Sequence, residues 1–314
     1  MIDPITIGFI TIFLASTLRI ATPIILAALG ETYVQSSGTL NLGVEGVMLL
    51  AAFTGFTSAL LSGSILVGVL VGVVTGIVAG AILAFLMVTL RADQIVTGIA
   101  FTIAAIGLTS FYYRVIFGAG MPPRLPTREV LEIPYLSQIP ILGPVLFSQH
   151  AMVYVALVLI PVFHYVLYKT RLGLKVRSLS ENPMAADAAG VNVFLHRYLA
   201  LIVGGAMAGL GGSYLSLYQI SFFRDNMTAG RGWVAIAVVM FARWKPSLVP
   251  LGAFLYGGAE ALSAGVQALG YLRALPVQFI LMFPYIFVIA ALVILVRQAR
   301  FPPAFARPYR REAG

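Results

Sequence analysis

Residues 46–90 contain no charged side chain, and this run limits the possible folds more than any other part of the chain. A helix needs about 20 mainly apolar residues to cross the hydrocarbon core of a membrane, so the run is long enough for two crossings. Ser62-Gly63-Ser64 predicts the turn between them. Charged residues make up only 10% of the whole chain, whereas soluble domains carry roughly 25%. The sequence therefore predicts an all-α polytopic membrane protein.

Four glycines recur at every fourth position in the second half of this run: Gly68, Gly72, Gly76 and Gly80. Residues four apart lie on the same face of a helix. A row of small residues lets a neighbouring backbone approach closely, as in many pairs of membrane helices. The spacing therefore predicts helix–helix packing rather than chemistry.

The apolar runs predict about nine transmembrane helices. They cover residues 5–29, 46–90 (two crossings), 94–113, 148–168, 198–223, 232–242, 247–268 and 274–296. The run 232–242 is short for a crossing, so a broken or re-entrant helix competes with a thin crossing there. Prolines and glycines punctuate residues 118–149, which predicts one long external loop.

Residues 169–197 form the longest densely charged interval of the chain. Two acids, Glu181 and Asp187, stand against five basic residues: Lys169, Arg171, Lys175, Arg177 and Arg197. Short loops rich in Lys and Arg lie on the cytoplasmic side of a membrane. We therefore predict a cytoplasmic loop over 169–197, a basic cytoplasmic tail over 297–314 and an external N-terminus. This asymmetry and anionic lipid headgroups explain the net charge of +9 without nucleic-acid binding.

A short capped helix is predicted at the centre of the basic loop. Asn182 suits the N-cap, Pro183 the first helical position and Gly190 the C′ position beyond the helix. These signals predict a helix of about two turns, roughly 10 Å long. Such a helix is marginal alone and needs a surface to dock against. The alternative is a solvated loop with one incidental turn.

Residues 30–46 are too polar for lipid and too apolar for an exposed loop. Their glycines, together with Asn41 and Glu45, indicate non-helical backbone at membrane depth, which is tolerated only where protein or a cavity surrounds it. An acid inside the membrane is a functional candidate by default. Three acids lie in or beside the apolar segments: Glu31, Glu45 and Glu260. Pairing with Arg19 and capping of a broken helix are the structural alternatives for them.

The motif search excludes most catalytic chemistry. The chain has no cysteine, so it has no disulfide, thiolate metal site or cysteine nucleophile. None of its lysines follows a glycine, which excludes a Walker A motif, and HExxH and GxSxG are absent. We therefore expect a non-enzymatic conduit or carrier. The remaining alternatives are a subunit driven by a separate ATPase, an ion-coupled secondary transporter that uses Glu45, and a passive channel.

Three segments together resemble the permease subunits of ATP-binding-cassette (ABC) importers, in the branch that serves nucleosides and simple sugars. They read GTLNLGVEGVMLLAAF at 38–53, SENPMAADAAGVNV at 180–193 and GRGWVAIAVVMFARWKPSLVPLGAFLYGG at 230–258. The likeness spans essentially the whole chain. It implies one transmembrane permease domain over 1–314, placed in the cell membrane of a bacterium or an archaeon.

The resemblance also implies the partners. These would be a second permease subunit, commonly a different chain, an ABC ATPase, an external substrate-binding protein and membrane lipids. ATP and magnesium would bind to the ATPase, and this chain would hold no cofactor. Residues 180–193 look like the family's coupling segment, which docks into a groove of the ATPase. The ATPase-coupling residues implied in this way are Glu181, Asn182, Pro183, Ala186, Asp187 and Gly190.

The family branch implies nucleosides first and simple sugars second as the substrate. A nucleoside combines a flat base with a polar ribose, so its route should be mostly apolar and aromatic, with a few hydrogen-bonding groups and little fixed charge. The candidate pathway residues are Asn41, Glu45, Phe56 and Trp233. No recognisable substrate box lies in the sequence, so no ligand residues are transferred from the family.

Overall fold

Apolar helices follow one another along most of the chain. The computed structural model describes residues 4–118, 120, 123–126, 130–269, 277–295 and 301–309. In these residues the eleven α-helices are α1 (Pro4–Ser36), α2 (Val44–Ser62), α3 (Ile65–Ala84), α4 (Gln94–Phe117), α5 (Ala151–Lys169), α6 (Arg171–Glu181), α7 (Pro183–Ala188), α8 (Val193–Tyr214), α9 (Arg231–Phe241), α10 (Val249–Leu269) and α11 (Val277–Leu295). π-helical turns extend α3 over Phe85–Thr89 and α8 over Leu215–Gln219.

Helix length and composition confirm the prediction of an all-α polytopic membrane protein. In the described part of the chain, six helices are long and apolar enough to cross a membrane: α1, α2, α3, α4, α5 and α8. α9 and α10 pass the same test only as a pair, and the pair bends by 114°. α11 contributes a shorter apolar stretch, Gln278–Ala290. The predicted count of about nine treats α9, α10 and α11 as separate crossings, whereas length and composition support six to seven spans plus these further apolar helices.

The turn between α2 and α3 lies where the Ser-Gly-Ser triplet predicts it. α2 ends at Ser62, and Gly63 adopts a φ of 68° that glycine tolerates without strain. α3 then begins at Ile65. The two helices pack against each other and against α8.

α8 lies at the centre of the bundle and contacts α1, α2 and α3 on different sides. A Cβ atom added to Gly209 would lie 2.6 Å from the carbonyl oxygen of Gly72 in α3. On another side, a Cβ at Gly211 would lie 2.8 Å from the carbonyl oxygen of Pro23 in α1. Real Cβ atoms do not approach other atoms so closely, so these backbones meet only because both positions are glycine.

The four regularly spaced glycines of α3 all lie against other helices. A Cβ at Gly68 would lie 2.7 Å from the carbonyl oxygen of Gly55 in α2. Added Cβ atoms at the other three glycines would collide with α8: Gly72 with Ser213, Gly76 with Gly205 and Gly80 with Leu201. The repeat therefore faces two partners, with its first glycine against α2 and the next three against α8.

The long connection after α4 carries a small hairpin. Residues 119, 121–122 and 127–129 of this connection lie outside the described residues. β1 (Leu131–Glu132) pairs antiparallel with β2 (Ser148–Gln149), and Gln149 accepts a hydrogen bond of 2.8 Å from Arg19 Nε. Arg19 thus joins α1 to the loop before α5, and its hydrogen-bond partner is an amide rather than one of the membrane acids.

The described part of the predicted basic tail lies on the helix bundle. Of residues 297–314, the structure describes 301–309, whereas 297–300 and 310–314 lie outside the described residues. The amide of Ala304 donates to the carbonyl of Ser180 in α6 at 3.0 Å. The amide of Ala306 donates to the carbonyl of Gly38, also at 3.0 Å. The tail therefore forms part of the packed structure at this end of the molecule.

Candidate functional site

The connection between α1 and α2 is buried although its backbone is not helical. Residues 37–43 leave helical geometry inside the polar segment for which the sequence predicts non-helical backbone. The amide of Leu40 donates to Gln94 Oε1 of α4 at 2.8 Å, and the amide of Gly43 donates to Asn41 Oδ1 at 3.1 Å. Protein groups thus replace the helical partners that this backbone lacks, as burial in a membrane protein requires.

Glu31 and Asn41 hold this connection against α1. The side chain of Glu31 is fully buried, and its Oε1 accepts a hydrogen bond of 2.8 Å from Asn41 Nδ2. Asn41 thereby binds both α1 and its own loop, because its Oδ1 accepts from Gly43. Its first role in this structure is to shape the backbone that leads into α2.

The carboxylate of Glu45 caps the start of α9. Its Oε1 accepts from the amide of Gly230 at 2.7 Å, and its Oε2 accepts from the amide of Gly232 at 2.7 Å. No side chain next to α9 in sequence caps this helix, because its N-cap residue is Gly230. A buried negative charge at a helix N-terminus satisfies free amides and interacts favourably with the helix dipole. Glu45 thus caps a helix, which is one of the two structural alternatives that the sequence leaves open for the membrane acids.

Gly232 lets Glu45 approach so closely. A Cβ atom at position 232 would lie 2.6 Å from the Cα and 2.7 Å from the backbone nitrogen of Glu45. α2 and α9 therefore touch through backbone at this point. We call the contact region formed by residues 37–45 and 228–233 the membrane junction.

Trp233 lies at the edge of the membrane junction. Its Nε1 donates to the carbonyl of Leu42 at 3.3 Å, which satisfies one carbonyl of the non-helical segment. The residue nevertheless keeps 48% of its surface exposed. It therefore presents an aromatic face beside a backbone break.

The four predicted pathway residues do not all meet. Asn41, Glu45 and Trp233 come together at the membrane junction. Phe56 lies elsewhere, fully buried, with its ring 5.9 Å from that of Phe117 in α4. Its surroundings are those of a core residue.

The sequence did not predict the ion pair that Arg231 of the junction forms with α10. Arg231, the first residue of α9, forms a salt bridge with Glu260 of α10. Arg231 Nη1 also donates to the carbonyls of Met227 at 3.2 Å and Thr228 at 3.3 Å. The sequence places Arg231 at the edge of one apolar run and Glu260 inside another, but it does not show that they meet. The signal available in the sequence was that a charge buried in a membrane needs an opposite charge.

Helix α7 has the caps that the sequence predicts. Asn182 Oδ1 accepts from the amide of Ala185 at 3.0 Å, and Pro183 occupies the first helical position. At the other end, Gly190 has a φ of 83° and its amide donates to the carbonyl of Asp187 at 2.9 Å. The amide of Val191 donates to the carbonyl of Ala186 at 3.0 Å, which completes a Schellman motif.

α7 is docked rather than freely solvated. Ala186 is buried in a small cluster with Leu179, Val193 and Tyr309. The hydroxyl of Tyr309 donates to Asp187 Oδ2 at 2.9 Å. The tail thus contacts two of the six predicted coupling residues, a connection for which the sequence gave no local signal. Glu181, Asn182 and Gly190 remain exposed on the surface.

Basic side chains collect at the same end of the molecule as α7. Arg177 Nε donates to the carbonyl of Leu167 at 3.1 Å, and its guanidinium lies 4.7 Å from the centroid of the Tyr168 ring. The Tyr168 hydroxyl in turn donates to the carbonyl of Trp244 at 3.2 Å, between Arg243 and Lys245. The α5–α6 region and the α9–α10 turn therefore share one basic face, which the positive-inside rule assigns to the cytoplasm.

Known proteins match the chain over most of its length. The family profile described as branched-chain amino acid transport system / permease component matches residues 13–295. Guanosine ABC transporter permease protein NupQ of Bacillus subtilis is 34% identical over 312 residues, 96% of this chain and 98% of NupQ. Nucleoside ABC transporter permease protein NupC of Lactococcus lactis is 30% identical over 309 residues, 95% of this chain and 96% of NupC.

A third relative is provisionally named for a different substrate. TsgC13 of Haloferax volcanii, provisionally named as a glucose ABC transporter permease protein, is 38% identical over 261 residues, 82% of this chain and 78% of TsgC13. Each of these three organisms also has a second, more distant ABC transporter permease that matches. The identities are 28% for TsgB13 of Haloferax volcanii, 24% for NupP of Bacillus subtilis and 25% for NupB of Lactococcus lactis. No solved structure gives a significant match.

Proposed function

Because this chain belongs to the family of branched-chain amino acid transport system permease components, we propose that it forms half of the pathway through which an ABC importer takes up nucleosides. The relatives are transporter permeases and not enzymes, and the chain is accordingly a multi-pass subunit in the cell membrane. An ABC permease works with an ATPase and a substrate-binding protein. The proposal goes beyond the family match in three respects: the substrate, the residues that contact the ATPase, and the identity of the second permease.

The half-exposed Trp233 beside the backbone break carries the substrate proposal. An indole face can stack on a nucleobase, whatever the base, because every base has a π-face. Nearby charges are balanced: Glu45 accepts from two backbone amides, and Arg231 is paired with Glu260. A neutral, flat substrate suits such a surface better than an anion. Two relatives that align over nearly the whole chain bear names for guanosine or nucleoside transport.

Glu45 and Asn41 act in this proposal mainly by positioning. Glu45 fixes the N-terminus of α9, and α9 carries Trp233 one residue beyond Gly232. Asn41 fixes the loop whose Leu42 carbonyl bonds to the Trp233 indole. The ion-coupled alternative requires Glu45 to bind the coupling ion, but both of its oxygens already accept from backbone amides. The family match likewise favours a separate ATPase as the source of energy.

The coupling role is proposed for α7 and its flanks. A short helix capped at both ends moves as a rigid body, which is how a push from an ATPase would be transmitted to the bundle. α7 lies on the basic face, and its exposed residues are available to a soluble partner. The contact residues proposed are Glu181, Asn182, Pro183, Ala186, Asp187 and Gly190, of which Ala186 supports the helix from its buried side.

The second permease is proposed to be a different chain. Three organisms each supply two matching permeases of unequal similarity to this chain. A pair of unlike subunits would explain the two matches in each of these three organisms. Co-purification from native membranes with a tag on this chain tests this proposal: a second permease and an ATPase are expected, and recovery of this chain as its own sole permease partner would contradict it.

Uptake of labelled nucleosides tests the substrate. Cells that carry or lack the gene are compared for uptake of guanosine, uridine, ribose and glucose, with and without depletion of ATP. Loss of nucleoside uptake alone is expected on deletion. Loss of glucose or ribose uptake with nucleoside uptake unchanged would refute the substrate proposal and retain the permease assignment.

A further inference from the structure

Residues 301–309 lie across the basic face, and we name them the strap. Three hydrogen bonds fix its backbone: Ala304 N to Ser180 O (3.0 Å), Ala306 N to Gly38 O (3.0 Å) and Arg197 Nη1 to Arg307 O (3.1 Å). These partners belong to α6, to the α1–α2 connection and to α8. The strap therefore connects the segment before α7 with the non-helical segment of the membrane junction.

Aromatic rings anchor the first half of the strap. The rings of Phe301 and Phe305 lie 5.5 Å and 6.2 Å from that of Trp244, both in edge-to-face geometry. Trp244 is itself buried in the α9–α10 turn, and its Nε1 donates to Gln35 Oε1 at 3.0 Å. Edge-to-face pairs stabilise contacts beyond their buried area. The strap is thus held at defined positions on the bundle.

The last residue of the strap that the structure describes packs on α7. The Tyr309 ring lies 5.6 Å from that of Phe194 in α8 and is buried, while its hydroxyl donates to Asp187. Tyr309 therefore covers the inner side of α7 and leaves its outer side open. α7 and the strap form one continuous surface.

A cleft of about 370 Å³ separates the two parts of this surface. One wall consists of Asn182, Pro183 and Met184 at the start of α7, and the other of Pro303, Pro308 and Tyr309 in the strap. Met184 is 52% exposed although it is apolar. Rigid proline walls around an exposed apolar side chain offer a pocket that an anchoring side chain of a partner can fill.

We propose that the strap forms the second wall of the ATPase-docking surface, and that the cleft between the strap and α7 receives an apolar side chain of the ATPase. This inference rests on the proposed coupling role of α7. The cleft is continuous with α7, so a protein that docks on the outer side of α7 reaches it directly. Glu181 lies on one wall of the cleft and Arg307 on the other. Polar residues around an apolar centre are typical of protein interfaces rather than of lipid-facing grooves.

Site-specific photo-crosslinking in the complete transporter tests this proposal. A photoreactive phenylalanine analogue is placed at Arg307 in the strap, at Met184 in α7 and at Lys245 in the α9–α10 turn, which shares the basic face but lies outside the cleft. Crosslinks to the ATPase are expected from Arg307 and Met184 and not from Lys245.

Crosslinking from Met184 alone would overturn the strap's role and retain α7 docking. The absence of both crosslinks would overturn the coupling role of α7 as well, and equal crosslinking at Lys245 would overturn the cleft as the docking pocket.

A point variant tests the same inference without a probe. Tyr309→Phe keeps the ring and removes the hydroxyl that donates to Asp187. This bond lies within the permease, so its loss weakens ATPase binding only by releasing the strap from α7. The affinity of the purified permease for the ATPase should therefore fall by no more than about tenfold, the upper equivalent of one net hydrogen bond, while the thermal midpoint of the permease stays near that of the wild type. Unchanged affinity would contradict the proposal. Tyr154→Phe removes a comparable hydroxyl near the external hairpin and is expected to leave the affinity unchanged.

Discussion

At the membrane junction, Glu45 accepts hydrogen bonds from Gly230 and Gly232, which lie 185 and 187 residues away in the sequence. In α7, Asn182 caps an amide only three residues ahead. The junction therefore exists only when distant helices have come together. α7 instead has its geometry largely encoded in its own residues and needs the bundle for docking.

This difference fits two mechanical roles. A self-capped helix can shift as a unit without losing its internal hydrogen bonds, as a rigid-body transmission requires. At the junction, any separation of α2 from α9 exposes the amides of Gly230 and Gly232 and removes the contacts of the Glu45 carboxylate. The junction therefore depends on α2 and α9 staying together, whereas α7 keeps its own hydrogen bonds when it moves.

Removal of the Glu45 carboxylate should break the junction and have the largest effect on stability. Glu45→Ala leaves two amides at the start of α9 without their acceptor, and each hydrogen bond to a charged group contributes about 1.5–3 kcal/mol. We expect a loss of about 3–6 kcal/mol in the free energy of unfolding, a lower thermal midpoint in detergent and no uptake.

An exposed carboxylate provides the control for this variant. Glu132 lies in β1 at the surface, so Glu132→Ala should leave both the thermal midpoint and uptake unchanged. A wild-type midpoint in Glu45→Ala would show that the carboxylate does not hold α9 in place.

The sequence predicts those parts of the structure that depend on local spacing. Asn182, Pro183 and Gly190 mark both ends of α7 because capping acts within one turn of a helix. The repeat of Gly68 to Gly80 predicts close approach because residues four apart share a face. The apolar runs predict the membrane class for the same local reason, since each helix must supply its own apolar length.

Long-range pairs could not be derived from these patterns. Glu45 had several alternatives before the structure placed the amides of α9 beside it. Arg231 stood at the edge of an apolar run, and only the bend between α9 and α10 brings it to Glu260. The strap looked like a basic tail because its contacts with Gly38 and Asp187 depend on residues far away in the sequence.

Replacement of Trp233 should affect transport more than stability, in contrast to replacement of Glu45. Its indole is about half exposed, so Trp233→Ala should change the thermal midpoint little. Base–aromatic stacking contributes about 1–3 kcal/mol, so the apparent affinity for nucleoside should fall about tenfold in the same variant. Trp233→Phe keeps a stacking face and should restore most of the affinity. Equal losses in the two variants would assign Trp233 to packing.

Gly190→Val should damage α7 without disturbing the junction. A β-branched residue at φ 83° costs about 1–2 kcal/mol, and the Schellman motif can relieve this strain only by distortion. We expect normal membrane insertion and a nearly unchanged thermal midpoint, with uptake reduced strongly. Ala189→Val adds the same side chain at φ −81° and should retain uptake. Normal uptake in Gly190→Val would contradict a coupling role for α7.

The smallest effect is expected at the other cap of α7. Asn182→Ala removes the acceptor for the Ala185 amide, and loss of an N-cap costs about 1 kcal/mol. Hydrogen exchange at the Ala185 amide should accelerate roughly fivefold, because that energy shifts the local opening equilibrium by about this factor. Asn182→Ser keeps a capping oxygen and should exchange nearly as slowly as the wild type. Exchange at Gly232, which Glu45 protects, should stay the same in both variants because the N-cap of α7 and the Glu45 carboxylate bond to different amides. Faster exchange at both sites would show that the two regions open as one unit and that the local character of α7 has been overstated.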